Sequence, residues 1–144
     1  MNISRKVTVR ESTFKDFGFI YTRWLESYKT SPFARKIKNS IYWVAHKNLI
    51  KLMEANPDFT VHIACLKTDP DVILGFLATS KVEDTQVAHY VYVKQDFRKM
   101  GVASLMLAKS GLDTKQTTFY THLTKHSHWI CQKLPKLEYN PYAL

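Results

Sequence analysis

Residues Val87–Leu112, VAHYVYVKQDFRKMGVASLMLAKSGL, change hydrophobic period partway along. The first part alternates: Val87, His89, Val91 and Val93 fall on one face of a strand, Ala88, Tyr90 and Tyr92 on the other. A short basic turn follows, after which Val102, Leu105 and Met106 share one face of a helix. The turn, Arg98-Lys99-Met100-Gly101-Val102-Ala103, puts glycine where a side chain would obstruct approach to the backbone, just as the helix starts. The first amides of a helix lack intrahelical acceptors and sit at its positive end. With Arg98 and Lys99 adding charge, the strand, turn and helix predict a site for a phosphate-bearing anion.

On the N-terminal side, Val7 and Val9 alternate with polar residues as a first strand. Asp16 is placed to cap a helix whose apolar face is Phe17, Ile20, Tyr21, Trp24, Leu25 and Tyr28. Ser31-Pro32 reads as a second helix start, with Ile37, Ile41, Val44, Ala45, Leu49, Leu52 and Met53 carrying the period to Asn56-Pro57. Val61, Ile63 and Cys65 then alternate, and a turn at Thr68-Asp69-Pro70-Asp71 leads into a strand from Ile73 to Ala78. Beyond Gly111, a fifth strand is predicted over Thr117–Leu123, a short helix over Ser127–Leu134, and one further extended segment in the tail, Leu137–Leu144.

The chain of 144 residues suits one domain, residues 1–144, long enough for a sheet with helices on it. An apolar fraction of 45% and an aromatic fraction of 13% argue against disorder. No apolar run approaches a bilayer span, and MNISRKVTVRES has charge without a following apolar core, so a cytoplasmic protein is expected. Cys65 and Cys131 lack the spacing of a metal knuckle and are too few for a disulfide framework. Lysine and arginine exceed the acids by 21 to 12, a net charge of +9 that favours an anionic partner without saying which. Phosphate-loop and Rossmann signatures are absent, since Gly18, Gly75, Gly101 and Gly111 are scattered.

The central stretch resembles the acetyl-coenzyme A binding segment of the GCN5-related N-acetyltransferases, the GNAT family. The family's turn reads Arg or Gln, two residues, Gly, one residue, Gly or Ala; here those are Arg98, Gly101 and Ala103. Its approach, Val-x-Pro-x-aromatic-Arg, is matched by Val93, Phe97 and Arg98 with Gln95 in place of proline. Short chains of this type are similar to ones found in bacteriophage genomes. The resemblance implies an α/β (α+β) fold, a mixed sheet with helices on both faces, in the order β-α-α-β-β-β-α-β-α-β. It also implies a fourth and a fifth strand that lie parallel and splay apart, with coenzyme A in the gap. Only about ten residues follow Pro135, enough for one strand where the family usually has two, so the fold is shortened at its C-terminus.

By the same resemblance, acetyl-CoA is the co-substrate. Val91, Tyr92 and Val93 would meet its pantetheine arm, and Arg98, Lys99, Met100, Gly101, Val102, Ala103 and Ser104 would hold its pyrophosphate. Thr124 falls where the family often has Asn. His89 falls on the register of a histidine linked to amine deprotonation in arylalkylamine-type members, and Cys131 falls where the family has the tyrosine that protonates the leaving thiolate. Imidazole suits a base near neutral pH, and a thiol could donate a proton, while a half-buried histidine and a packed cysteine are the structural alternatives. Tyr120 and Tyr139 are further candidates for the acid. His122, His126, His128 and Cys131 lack the carboxylate or second cysteine that would complete a metal set, so no metal is expected.

Two function classes remain. One is an N-acetyltransferase acting on a small-molecule or protein amine by direct attack. The other is a non-catalytic basic protein on the same fold, engaging nucleic acid or an acidic protein. A shortened sheet leaves an edge to cover, which predicts a homodimer with Tyr139–Leu144 near the contact.

Overall fold

The computed structural model describes residues 3–124 and 133–144. Along the chain run β1 (Val7–Glu11), α1 (Phe17–Lys29), α2 (Asn39–Glu54), β2 (Thr60–Leu66), β3 (Ile73–Val82), β4 (Thr85–Val93), α3 (Val102–Lys109), β5 (Thr118–Tyr120) and β6 (Leu137–Tyr139). The strands form one mixed sheet in sequence order. The first four pair antiparallel, whereas β5 lies parallel to β4 and β6 parallel to β5. A parallel neighbour needs a crossover, and α3 supplies it between β4 and β5. The helix expected over Ser127–Leu134 lies largely outside the described residues. Among the described residues no helix is long and apolar enough to cross a membrane.

Helices cover both faces of the sheet. On one, Ile20, Trp24, Leu25 and Tyr28 of α1 and Tyr42, Ile50 and Met53 of α2 pack on Val61, Ile63, Cys65, Phe76, Ala78 and Tyr90. On the other, Val102, Met106 and Leu107 of α3 pack on Ala64, Leu74, Leu77 and Ala88. Because β3 has apolar neighbours above and below, its first eight residues are all buried.

Three expectations are corrected here. Residues 31–37 form turns, in which the Ser31 carbonyl accepts from the amides of Ala34 and Arg35, and α2 starts only at Asn39. That helix buries Tyr42, His46, Ile50 and Met53, so Ile41, Val44 and Leu52 of the expected face are exposed. Asp16 does not cap α1 with its side chain: its carboxylate accepts from the Thr13 amide at 2.6 Å and from Arg10 at 2.7 and 2.9 Å. The Arg10 hydrogen bond is the first cause that holds the Asp16 carboxyl down at about 2. In the tail, Ala143 is buried and Leu144 packs on the α1/α2 side, leaving Tyr139 and Tyr142 exposed.

The alternation of β4 also breaks. Ala78 pairs with Tyr90 but Thr79 pairs with Ala88, so His89 is an extra residue in the ladder, a β-bulge. Beyond it the faces exchange: Ala88 joins Val91 and Val93 on the α3 side, and Tyr90 packs on the α1 side. Gly75, opposite Val93, is required nearby, because a Cβ there would lie 2.4 Å from the Tyr92 carbonyl oxygen. Gly75→Ala should therefore cost about 1–3 kcal/mol, the usual range for overpacking, read as a lowered midpoint in thermal or urea unfolding.

Candidate active site

Pairing between β4 and β5 stops at Ala88 and Tyr120, while β4 continues to Val93. Beside this free continuation lies a cavity of about 610 Å³. Its floor is Tyr90, Val91, Tyr92 and Val93 of β4. One end is built by Phe97, Arg98 and Lys99 and by Gly101, Val102, Ala103 and Ser104 at the start of α3. Arg23, Glu26, Ser27, Thr30 and Ser31, from α1 and the turn after it, form the opposite wall, and Thr124 closes the side beyond β5.

The turn has a defined backbone. Gly101 adopts φ +86° and Lys99 φ +63°, both left-handed, which reverses the chain sharply before α3. A Cβ at Gly101 would meet nothing within 4 Å, so glycine is needed there for its φ and not to relieve crowding. The first intrahelical bond runs from the Leu105 amide to the Gly101 carbonyl, which places the amides of Val102, Ala103 and Ser104 before the helical ladder begins. No acidic residue occupies this first turn. Arg98 is held by a bond from its Nε to the Val93 carbonyl at 2.9 Å, joining the turn to the end of β4. This wall therefore offers aimed amides and fixed positive charge, the two requirements for phosphate.

Of the residues expected to bind cofactor, all except Met100 line this cavity. His89 does not. The bulge turns it away from Val91, and its ring is buried between Ser80 Oγ at 2.7 Å and Thr121 Oγ1 at 3.0 Å. Burial pushes its pKa down to about 4. Cys131 lies outside the described residues, as do His126 and His128. Tyr120 and Tyr139 pack on one another at a tilt across β5 and β6, and neither lines the cavity. Among the described residues no group of three or more His, Cys, Asp or Glu is placed to hold a metal.

The α1 wall was not anticipated from sequence, although Arg23, Glu26, Ser27 and Thr30 recur at i, i+3, i+4 and i+7 on a stripe flanking the buried Ile20, Trp24 and Tyr28. Such a polar stripe facing a second polar surface is the signal that could have found it. Tyr90, placed by sequence only on one face of the fourth strand, is a further residue of the site. It is mostly buried, stacked on Trp24 with ring centroids 5.2 Å apart, yet it reaches the cavity, where its hydroxyl lies 2.7 Å from Ser27 Oγ. The Ser27 proton goes to the Arg23 carbonyl at 2.5 Å, so Tyr90 donates to Ser27. Burial raises the phenol to about 12, and it stays protonated near neutral pH.

No protein-family model and no curated protein sequence matches the chain. Solved structures do. A candidate acetyl transferase from Pyrococcus furiosus is similar over 89% of this chain and 91% of its own, at 16% identity and a TM-score of 0.65. The PaiA N-acetyltransferase of Thermoplasma acidophilum, in complex with coenzyme A, is similar over 72% of this chain and 69% of its own, at 16% identity and TM-score 0.52. An acetyltransferase of the GNAT family from Staphylococcus aureus Mu50 is similar over 72% of this chain and 62% of its own, at 12% identity and TM-score 0.52. At such identities the likeness establishes the fold, and the chain has the GNAT-type fold that its sequence resembles.

The buried histidines give the site a pH signature. His46 and His89 are both lowered to about 4 by burial, and His122 is lowered well below its usual value. A histidine with a depressed folded pKa contributes stability that is complete above its unfolded value of ~6.5 and lost as pH falls toward the folded value. Stability should therefore drop between pH ~6.5 and ~4, by up to about 1.4 kcal/mol per pH unit for each such histidine. Urea midpoints measured across that range check this; a flat profile would contradict it.

Proposed function

We propose that the protein is an acetyl-CoA-dependent N-acetyltransferase. The observation that carries this reading is the joining of an exposed strand edge to a phosphate-type turn in one cavity. Pantetheine is a chain of amides, and the side of β4 that β5 leaves open at Val91–Val93 offers it backbone partners. The amides of Val102–Ser104, with Arg98 and Lys99, suit the pyrophosphate. The fold shared with the coenzyme A complex of PaiA supports the same placement.

In this reading the acceptor amine enters along α1. Among the described residues Glu26 is the one carboxylate lining the cavity, and it draws in a cationic amine, which loses its proton to water before attack. The neutral nitrogen then adds to the thioester carbonyl, whose oxygen takes a hydrogen bond from a β4 amide near Val91. Collapse of the adduct breaks the carbon–sulfur bond, and Tyr90, protonated and within the cavity, supplies the proton that the departing thiolate needs. The proton that the attacking nitrogen must lose returns to the Tyr90 oxygen through water. Small-molecule and protein amines both fit this scheme. In the same reading two copies meet along the outer edge of β6, where Tyr139 and Tyr142 are exposed.

Gly101→Asp tests the coenzyme site, because it adds a negative charge and a side chain at a left-handed position. Titration calorimetry should show acetyl-CoA affinity falling by at least about 100-fold in the folded variant, and unchanged affinity would overturn the reading. Tyr90→Phe should lower turnover about 10²-fold to 10⁴-fold with little change in acetyl-CoA affinity, measured by thiol release once an acceptor is found.

A further inference from the structure

A continuous chain of buried polar groups runs beneath the cavity. His46 Nε2 lies 2.9 Å from His122 Nε2, His122 Nδ1 lies 2.8 Å from Thr121 Oγ1, Thr121 Oγ1 lies 3.0 Å from His89 Nδ1, and His89 Nε2 lies 2.7 Å from Ser80 Oγ. All five residues are buried. The chain links α2, the segment after β5, the bulge of β4, and β3.

One group sets the direction of every bond. The Trp24 indole N–H, which can only donate, points at His122 Nε2 at 3.3 Å. That nitrogen is therefore an acceptor, and His46 must donate to it through its own Nε2–H. His122, neutral, then carries its proton on Nδ1 and donates to Thr121. The single Thr121 proton passes to His89 Nδ1, which leaves the His89 proton on Nε2, donating to Ser80. An added proton on His122 would set its Nε2–H against two other donors.

Burial opposes such a charge on His122, and a hydrogen bond with the His89 backbone favours it. Around His122 stand Trp24 and Tyr28 from α1, His46 from α2 and Tyr90 from β4. His89 meets Phe59, Ser80 and Thr121, and His46 meets Tyr28 and Tyr42. None of these neighbours is a carboxylate.

The position of the chain gives it a role. Ala88 and Tyr120 are the last backbone pair of β4 and β5, and the next residue on each side, His89 and Thr121, is joined to the other through side chains. Immediately beyond, Tyr90 and Val91 on one side and Thr124 on the other line the cavity. At its far end Trp24, which fixes the bond direction, stacks on Tyr90. We propose that the chain His46–His122–Thr121–His89–Ser80 positions the cavity walls, with the Thr121 hydroxyl as the pivot that sets where β4 and the segment after β5 part. His89 is then a positioning residue and not the base. This deepens the coenzyme reading and rests on it for its ligand.

The experiment has a ligand-free arm and a ligand arm. Long-range ¹⁵N–¹H spectra of the wild-type chain near neutral pH should show His122 as the Nδ1–H tautomer and His46 and His89 as Nε2–H tautomers. A different tautomer at His122 would overturn the chain. Thr121→Val keeps the shape and removes both hydrogen bonds, whereas Thr121→Ser keeps them. The valine variant should weaken acetyl-CoA binding about tenfold or more and shift the amide resonances of Val91–Val93 and Thr124, and the serine variant should restore both. Ser80→Ala, at the end of the chain and outside the cavity, serves if the valine variant does not fold, with a smaller loss of about threefold. Unchanged affinity and unshifted cavity amides in a folded variant would overturn the proposal. If the wild type does not bind acetyl-CoA, the coenzyme reading fails alone, and the tautomers and amide shifts still judge the chain.

Discussion

The structure depends on one constraint, that two parallel strands hold together for three positions and then part. Gln86–Ala88 pair with Thr118–Tyr120, after which β4 runs on paired with β3 but not with β5. Backbone amides and carbonyls left on an open edge need partners, and among the described residues no strand pairs with this edge beyond Ala88. An open edge of this kind invites a second chain to pair with it. The surrounding elements limit access to ligands that fit: α3 and its turn close one end, and the polar stripe of α1 closes the other. Gly75 belongs to the same arrangement, since only a residue without a Cβ lets β3 sit against Tyr92 and Val93 where β4 runs on.

Charge follows from the same geometry. A net charge of +9 spread along the chain attracts anions without choosing among them. Selection comes from the turn, where Lys99 and Gly101 hold left-handed angles that expose the first amides of α3, and where the Arg98 bond to Val93 keeps a guanidinium at the cavity. First-turn amides without intrahelical acceptors discriminate by shape, which diffuse charge does not do.

Much of this was legible in the residues because it is local. The period of α1, the basic turn and the helix after it depend on neighbours within about two turns, and the structure places them as read. Helix α2 was misread because it carries two apolar stripes: Ile41, Val44 and Leu52, and Tyr42, His46, Ile50 and Met53. Periodicity alone cannot rank two stripes on one helix, and contact with α1 and the sheet buries the second. The bulge at His89 was equally silent, since alternation reads smoothly through an inserted residue and only the β3 register reveals it. The residues of the α1 wall share one short window, but the surface they face lies far along the chain, and the Thr121 link joins residues that no short window contains.

His89 shows how environment reassigns a residue whose chemistry is fixed. A solvated imidazole, with pKa ~6.5, takes a proton from an aliphatic ammonium of pKa ~10.4 at a cost of about 5 kcal/mol, which an enzyme can offset. Burial lowers His89 to about 4 and raises that cost to roughly 9 kcal/mol, before any path from the cavity is found. The same low basicity suits a neutral link in a directed hydrogen-bond chain, where a captured proton would break the series. If the walls are held in this way and the proposed reaction is the one the cavity serves, rate enhancement rests chiefly on keeping the two reactants in line within a fixed gap. Oriented reactants of that kind account for as much as ~7–11 kcal/mol of barrier. Such a gain exceeds what one general base typically contributes, ~10²-fold to 10⁴-fold, so a chain that gives up a basic histidine to fix its geometry keeps the larger effect.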